Sequence, residues 1–331
     1  MNIKKIGLTA LAASLVSVSA NAGELSVSGS AKMAVEGFTG EALDAGTTFS
    51  MGNQVTMSGS GELDNGMTVS LSFVLDQGDD GNTVGASATN KIGGTAPFDS
   101  HSVSVSSEAL GTLKFSGEGG ASTASSIDTS AAGDIWDTFD GSRGDVTAVA
   151  VKDTAGGDNS LFYTLPSIMD DLTVNLSYKP QGSGAASETG VGLAYSGVEG
   201  LTAKYATTDK NTGTTATEGE QTVWMLSYAY GPVTASASAS DYDVGTSSND
   251  QELSSYAISY TISDELSVTY GTEDIEVGGA VSDAEYESIS ASYTAGGMTI
   301  TAAMKEGENV ANGTASNQDF EYWSLSASFA F

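Results

Sequence analysis

The chain of 331 residues contains no cysteine, so no disulfide framework can hold it together. Its single histidine, His101, has no Ser-His-Asp arrangement in view, which leaves it a bystander rather than a general base. Proline is scarce at 4 residues while glycine reaches 41, a balance that suits strands and turns better than helix bundles. Basic residues are few: 11 Lys and Arg stand against 42 Asp and Glu. Nucleic acid is thereby excluded as a partner, because a phosphate backbone needs cations. Zinc spacings, phosphate loops and haem motifs are missing too, so no cofactor is expected.

Long apolar runs are also absent, with one exception at the start. "IGLTALAASLVSVSA" follows Lys4 and Lys5 and ends on the small residues Ala20 and Ala22. It reads as a secretory signal peptide, residues 1–22, cleaved after Ala22 and too short to serve comfortably as an anchor. Residues 23–331 then carry all 42 acids and nine basic residues, a formal charge of −33.

What the exported part does have is alternation. The last ten residues, "YWSLSASFAF", place Trp323, Leu325, Ala327, Phe329 and Phe331 on one parity with serines between. Such a period of two marks a strand with one apolar and one polar face. Similar segments recur from "LSVSGSAKMAV" (25–35) onward and sum to sixteen strands. "QVTMSGSGEL" and "MTVSLSFVL" are joined through Asp64-Asn65-Gly66, a tight hairpin signal. Short connectors near 64–66, 109–111, 166–171, 197–200, 231–232, 263–265 and 296–297 alternate with longer acidic ones. The longer set is 36–48, 77–100, 118–159, 180–188, 208–220, 243–250, 277–284 and 307–318. In an up-and-down antiparallel barrel this puts every short turn at one end, the asymmetry of transmembrane β-barrels.

Charge and aromatics test that reading. With the bulky apolar parity facing outward, Lys32, Lys114, Lys179, Lys204 and Lys305 all face inward, as a lipid-facing exterior demands. Glu287 and Glu321 are the exceptions, at strand ends beside long loops. Outward aromatics form two groups: Tyr195, Tyr228, Tyr230, Tyr260, Tyr293, Phe329 and Phe331 near the short turns, and Tyr178, Tyr205, Trp224, Tyr256, Tyr270 and Trp323 near the long loops. They are expected to form two interfacial girdles. The inward parity is polar, as in Gln54, Thr56, Ser58, Ser60 and Glu62, so the interior is expected to hold water.

The sequence resembles the Gram-negative general porins through "GELDNGMTVSLSF" (61–73), "ALGTLKFSG" (109–117), "NSLFYTLPSI" (159–168) and the terminal "ASFAF". The resemblance implies an all-β, sixteen-stranded transmembrane barrel over 23–331, assembled as a homotrimer in the outer membrane. It implies contacts with membrane lipid and lipopolysaccharide, and recognition of Phe331 by the outer-membrane assembly machinery. It further implies that the third long loop, 118–159, folds into the lumen. That loop holds "GDIWDTFDGSRGD" (133–145), which reads as a short helix with Trp136 and Phe139 against the wall and aspartates towards the pore. The pore-constriction residues expected on this basis are Lys32, Lys114, Glu118, Asp134, Asp137, Asp140, Arg143 and Asp145. One departure is evident: the only arginine, Arg143, lies in the loop itself, so an arginine cluster on the opposite wall is missing.

The function read from these features is passive diffusion of small hydrophilic solutes and ions with weak cation selectivity. Competing readings are a substrate-specific outer-membrane channel, which would want a basic or aromatic ladder along the lumen, and a secreted acidic β-rich adhesin. Weak calcium binding is expected at most in the acidic stretches "DQGDD" (76–80), "DYD" (241–243) and "KEGENV" (305–310).

Overall fold

A computed structural model describes residues 25–40, 46–76, 98–127, 130–143, 146–154, 157–181, 186–213, 218–245, 250–315 and 318–331. The expected signal peptide and most of "DQGDD" lie outside the described residues. The strands are β1 (Ser26–Gly40), β2 (Thr47–Glu62), β3 (Thr68–Asp76), β4 (Ser100–Ser107), β5 (Gly111–Glu118), β6 (Ser142–Arg143), β7 (Val146–Thr147), β8 (Ser160–Thr164) and β9 (Leu172–Lys179). They continue as β10 (Ser187–Tyr195), β11 (Leu201–Asn211), β12 (Gly219–Tyr230), β13 (Val233–Val244), β14 (Gln251–Thr261), β15 (Leu266–Val277), β16 (Ala284–Ala295), β17 (Met298–Glu308) and β18 (Phe320–Ala330). Apart from the small β6–β7 ladder, the strands close a sixteen-stranded barrel in which each pairs with its sequence neighbours.

Closure depends on the last residues. β1 pairs antiparallel with β18 from Ser30↔Ala330 to Gly40↔Phe320. Beyond β18, the Phe331 N–H donates to Gly29 O at 3.0 Å and Gly29 N–H donates to Phe331 O at 2.8 Å. The Phe331 ring lies where a side chain on Gly29 would stand, 2.7 Å from the Cβ such a residue would carry. The C-terminal backbone is thus tied into the ladder, and the barrel has no open edge to satisfy. At the other end of the logic, the turn after β2 forms as the sequence indicates: Gly66 adopts φ 78° and Met67 N–H donates to Asn65 Oδ1 at 3.1 Å.

Register confirms the two faces. One inward row runs Ser26↔Ser58↔Ser72↔Ser102↔Ser116↔Ser160 across β1 to β5 and β8. The next runs Ser60↔Ser70↔Ser104↔Lys114↔Phe162↔Ser177. The opposite parity exposes Leu71, Val103, Phe115, Leu193, Leu226, Ile258, Ile289 and Leu325 to the surroundings. Side-by-side aromatics such as Tyr205↔Trp224 mark the girdle on the long-loop side.

Two expectations need correction. The first long connector is not 36–48: β1 runs to Gly40 and β2 starts at Thr47, leaving only 41–46 between them. Residues Glu36 and Phe38 are inward-facing strand residues, buried because something covers them from inside the barrel. The outward acids are also not confined to Glu287 and Glu321. Beyond the girdle, Asp209 faces Glu220, which faces Asp243; Asp241 faces Glu252, which faces Glu276. Further round, Asp274 faces Glu285, which faces Glu308; Glu287 faces Glu306, which faces Glu321. Strands therefore continue past the apolar band and carry like charges directly opposite one another, an arrangement that weakens pairing.

That belt yields a prediction. Glu306 stands between Glu287 and Glu321, so Glu306→Gln relieves two like-charge pairs. In detergent with a chelator at low salt, the variant should unfold on the order of 1–3 °C higher than the parent in a thermal scan. An unchanged or lower unfolding temperature would contradict the electrostatic reading of the belt.

Candidate functional site

What covers the inner wall is the connector between β5 and β8. Its two limbs meet at a neck where Gly120 N–H donates to Gly157 O at 3.0 Å and Gly157 N–H returns to Gly120 O at 2.7 Å. A loop inside a barrel loses its water and must find other partners for its backbone. Here they come from inward side chains. Thr123 N–H donates to Ser177 Oγ at 3.0 Å, and Ala124 N–H to Thr208 Oγ1 at 3.1 Å. Approach at this point requires Gly190, since a Cβ there would stand 2.0 Å from Thr123 Oγ1.

The outbound limb continues along β13 and β14, where Ala131 N–H donates to Ser238 Oγ at 2.8 Å and Ala132 N–H to Ser255 Oγ at 2.9 Å. At β15 the buried Glu273 carboxylate accepts from Ser130 Oγ and from Trp136 N–H at 3.0 Å. At β17 Lys305 Nζ donates to Thr138 Oγ1 at 2.5 Å. The return limb is held by two glutamines. Gln251 Oε1 accepts from Lys152 N–H at 2.6 Å, and its Nε2 donates to Ala150 O at 3.0 Å. Gln221 Oε1 accepts from Thr154 N–H and Oγ1, both at 2.8 Å, while its Nε2 donates to Ser240 Oγ at 2.9 Å.

An apolar cluster fills the space between loop and wall. Ile135, Phe139, Val146 and Ala148 of the loop pack on Phe38, Leu253, Ile275, Ala284, Tyr286, Val310 and Phe320. Phe139 meets Phe38 edge-on at 6.1 Å between centroids and lies 5.6 Å from Tyr286. The short helix expected over 133–145 shrinks to one 3-10 turn, Trp136–Thr138, followed by the β6–β7 ladder. Phe139 is buried as expected, but Trp136 is only partly so, and Ile135 beside it takes the fully buried place.

The residues expected at the constriction divide into groups. Asp134, Asp137 and Asp140 are all exposed on the loop. Lys32 is exposed and shares the inward parity of Glu36 and Phe38. Lys114 is exposed on the inward serine rows of β5, four strands round the wall from Lys32 and displaced from it along the strands, since their rows meet β2 at Ser60 and Gly52. Glu118 is drawn elsewhere. A register shift between His101 and Ser102 makes Gly117 an extra residue in β5 and sets Glu118 opposite His101. Its Oε2 lies 3.8 Å from His101 Nδ1, and the His101 ring stacks over Phe73, which belongs to the outward parity. Arg143 is placed only through its backbone pairing with Val146, and Asp145 lies outside the described residues.

Several residues that position the loop escaped the sequence reading: Glu273, Gln221, Gln251, Phe38 and Tyr286. Among the described residues, one carboxylate trio, Asp274, Glu276 and Asp283, brings oxygens within 4.8 Å of one another, on the outer rim rather than in the stretches expected to bind calcium.

Glu273 is the polar centre of this attachment. Glu273→Ala leaves the Trp136 N–H and the Ser130 hydroxyl without their acceptor, a loss of about 1–3 kcal/mol per buried group. The loop should then come away from β15, and single-channel recordings should show larger, noisier conductance steps than the parent. Steps of parental size and steadiness would show that Glu273 does not hold the loop.

The profile of the Gram-negative porins matches residues 7–331. No curated protein sequence matches significantly. Among solved structures, a porin refined at 1.8 Å resolution superposes with a TM-score of 0.65 at 18% identity, covering 93% of this chain and 100% of that one. A mutant of Rh. blastica porin superposes with a TM-score of 0.62 at 16% identity and the same coverage. Identity at that level speaks for the barrel alone, whereas the profile spans nearly every residue. This chain therefore belongs to the Gram-negative porin family and forms a channel through the outer membrane.

Proposed function

We propose that the channel passes small hydrophilic solutes by diffusion and is weakly cation-selective, with its third long loop as the filter. The observation that carries this is the contrast between the two sides of the lumen. On one side the loop exposes Asp134, Asp137 and Asp140. Much of the facing wall is the serine lattice of β1 to β5, which also carries Lys32, Glu62 and Lys114. Lys305, on β17, has its ammonium on Thr138 of the loop's turn. Acids on one face and hydroxyls with two scattered lysines, rather than an arginine cluster, on the other give a negative potential without a strong transverse field. Such a potential enriches cations when channel walls are close, within a Debye length of about 8 Å at physiological salt.

Catalysis has no place in this reading, since His101 keeps company with Glu118 and Phe73 on the outward parity. No resident cofactor is needed, and calcium would be held at most weakly by exposed acids. The homotrimer, the cleaved segment 1–22, lipopolysaccharide contact and recognition of Phe331 during assembly follow from family membership as further parts of the proposal. Three equal conductance steps closing in turn after one insertion would support a trimer of separate pores, and lone steps would contradict it.

Selectivity is tested by reversal potentials in planar bilayers under a potassium chloride gradient. The parent should favour potassium modestly, and the preference should fade as salt rises. The combined change Asp134→Asn, Asp137→Asn and Asp140→Asn should move the reversal potential towards zero. A neutral or anion-selective parent would refute the assignment.

A further inference from the structure

A recess of about 320 Å³ opens between the two limbs of the third loop and the wall at β12. Trp136 lines it together with Asp134 on the outbound side and Asp153 on the return limb; Ile127 and Val151 add apolar surface. Gln221 contributes a fully buried floor, its amide already committed to Thr154 and Ser240. Both aspartates are exposed, so their carboxylates reach the water of the lumen. The volume is that of a small-molecule site rather than of a single ion.

The combination selects a particular chemistry. Bare metal ions want several converging oxygens, and an indole with two aliphatic side chains is a poor match for them. A neutral sugar can hydrogen-bond to the carboxylates and stack on the indole, but it leaves their two charges unneutralised. A small alkylated ammonium uses every part: its charge is attracted by the two acids and by the indole face, and its methyl groups cover Ile127 and Val151. We propose that this recess is a binding subsite for small quaternary ammonium compounds, placed on the filter loop so that occupancy is felt by the passing current. This rests on the channel reading above and specifies one solute class that the channel would hold rather than merely pass.

The test uses the purified full-length channel in planar bilayers at low salt, with choline chloride as probe and the uncharged isostere 3,3-dimethylbutan-1-ol as control. Choline should reduce the potassium current in a saturable way, and the isostere should not. Asp153→Asn should raise the half-blocking choline concentration on the order of tenfold relative to the open current of the same variant. Trp136→Phe should weaken block less than Trp136→Leu, because an aromatic face remains. Since Trp136 also packs on the loop cluster, the Asp153 variant decides if the Trp136 variants assemble poorly. Equal block by both compounds, or parental choline block in Asp153→Asn, would overturn the subsite while leaving the channel standing. A preparation with no conductance steps would overturn the channel reading and the subsite with it.

Discussion

Hydrocarbon offers no water to a peptide group, and that single constraint organises the molecule. Every strand must donate and accept along both edges, so the sheet must close. Closure demands that β18 return to β1, which is why backbone bonds between Phe331 and Gly29 extend the ladder beyond the last strand. With the backbone paired sideways, side chains are free to separate by face. Large apolar groups turn out, and serines, threonines and lysines turn in.

Closing sixteen strands creates a new problem, because a barrel that wide cannot fill its own interior with wall side chains. The third loop fills part of it. Its backbone is bonded by Ser177, Thr208, Gln221, Ser238, Gln251, Ser255 and Glu273, each an inward residue on a different part of the wall or a neighbouring strand. Each such bond contributes only about 0.5–1.5 kcal/mol net, but leaving the buried groups unpaired would cost more. The polar hooks therefore set where the loop lies, and the apolar cluster around Phe139 adds the burial that keeps it there. The remaining lumen is the water path. Its character follows from what each side presents: carboxylates on the loop, hydroxyls on the wall.

Most of this was legible where alternation is clean. The Asn65-Gly66 turn, the inward lysines and the pinned terminus all follow from period-two patterns and turn chemistry. Legibility failed where the loop covers the wall. There the inward parity is apolar as well, as at Phe38, Leu253, Ile275, Tyr286 and Phe320, so the contrast between faces disappears. For that reason "EGFTG" at 36–40 reads as the start of a connector although it is strand. Glu273 was invisible for a different reason: its partners Ser130 and Trp136 are 143 and 137 residues away. No local pattern carries a contact of that span. The displaced Glu118 reflects one extra residue in β5, and a bulge of that kind leaves no distinct signature in "KFSGEGG".

The account stands or falls on whether adjacent strand residues see hydrocarbon and water in turn. Leu71 and Ser72 in β3 make the sharpest pair, since Leu71 is 43% exposed on the apolar exterior while Ser72 lies in the inward serine row. Spin labels placed singly at these two positions in bilayer-reconstituted channel should differ: the label at 71 relaxed by oxygen, the label at 72 by a polar nickel chelate. Matching accessibility at both positions would contradict the barrel's division into a lipid face and a water-filled lumen.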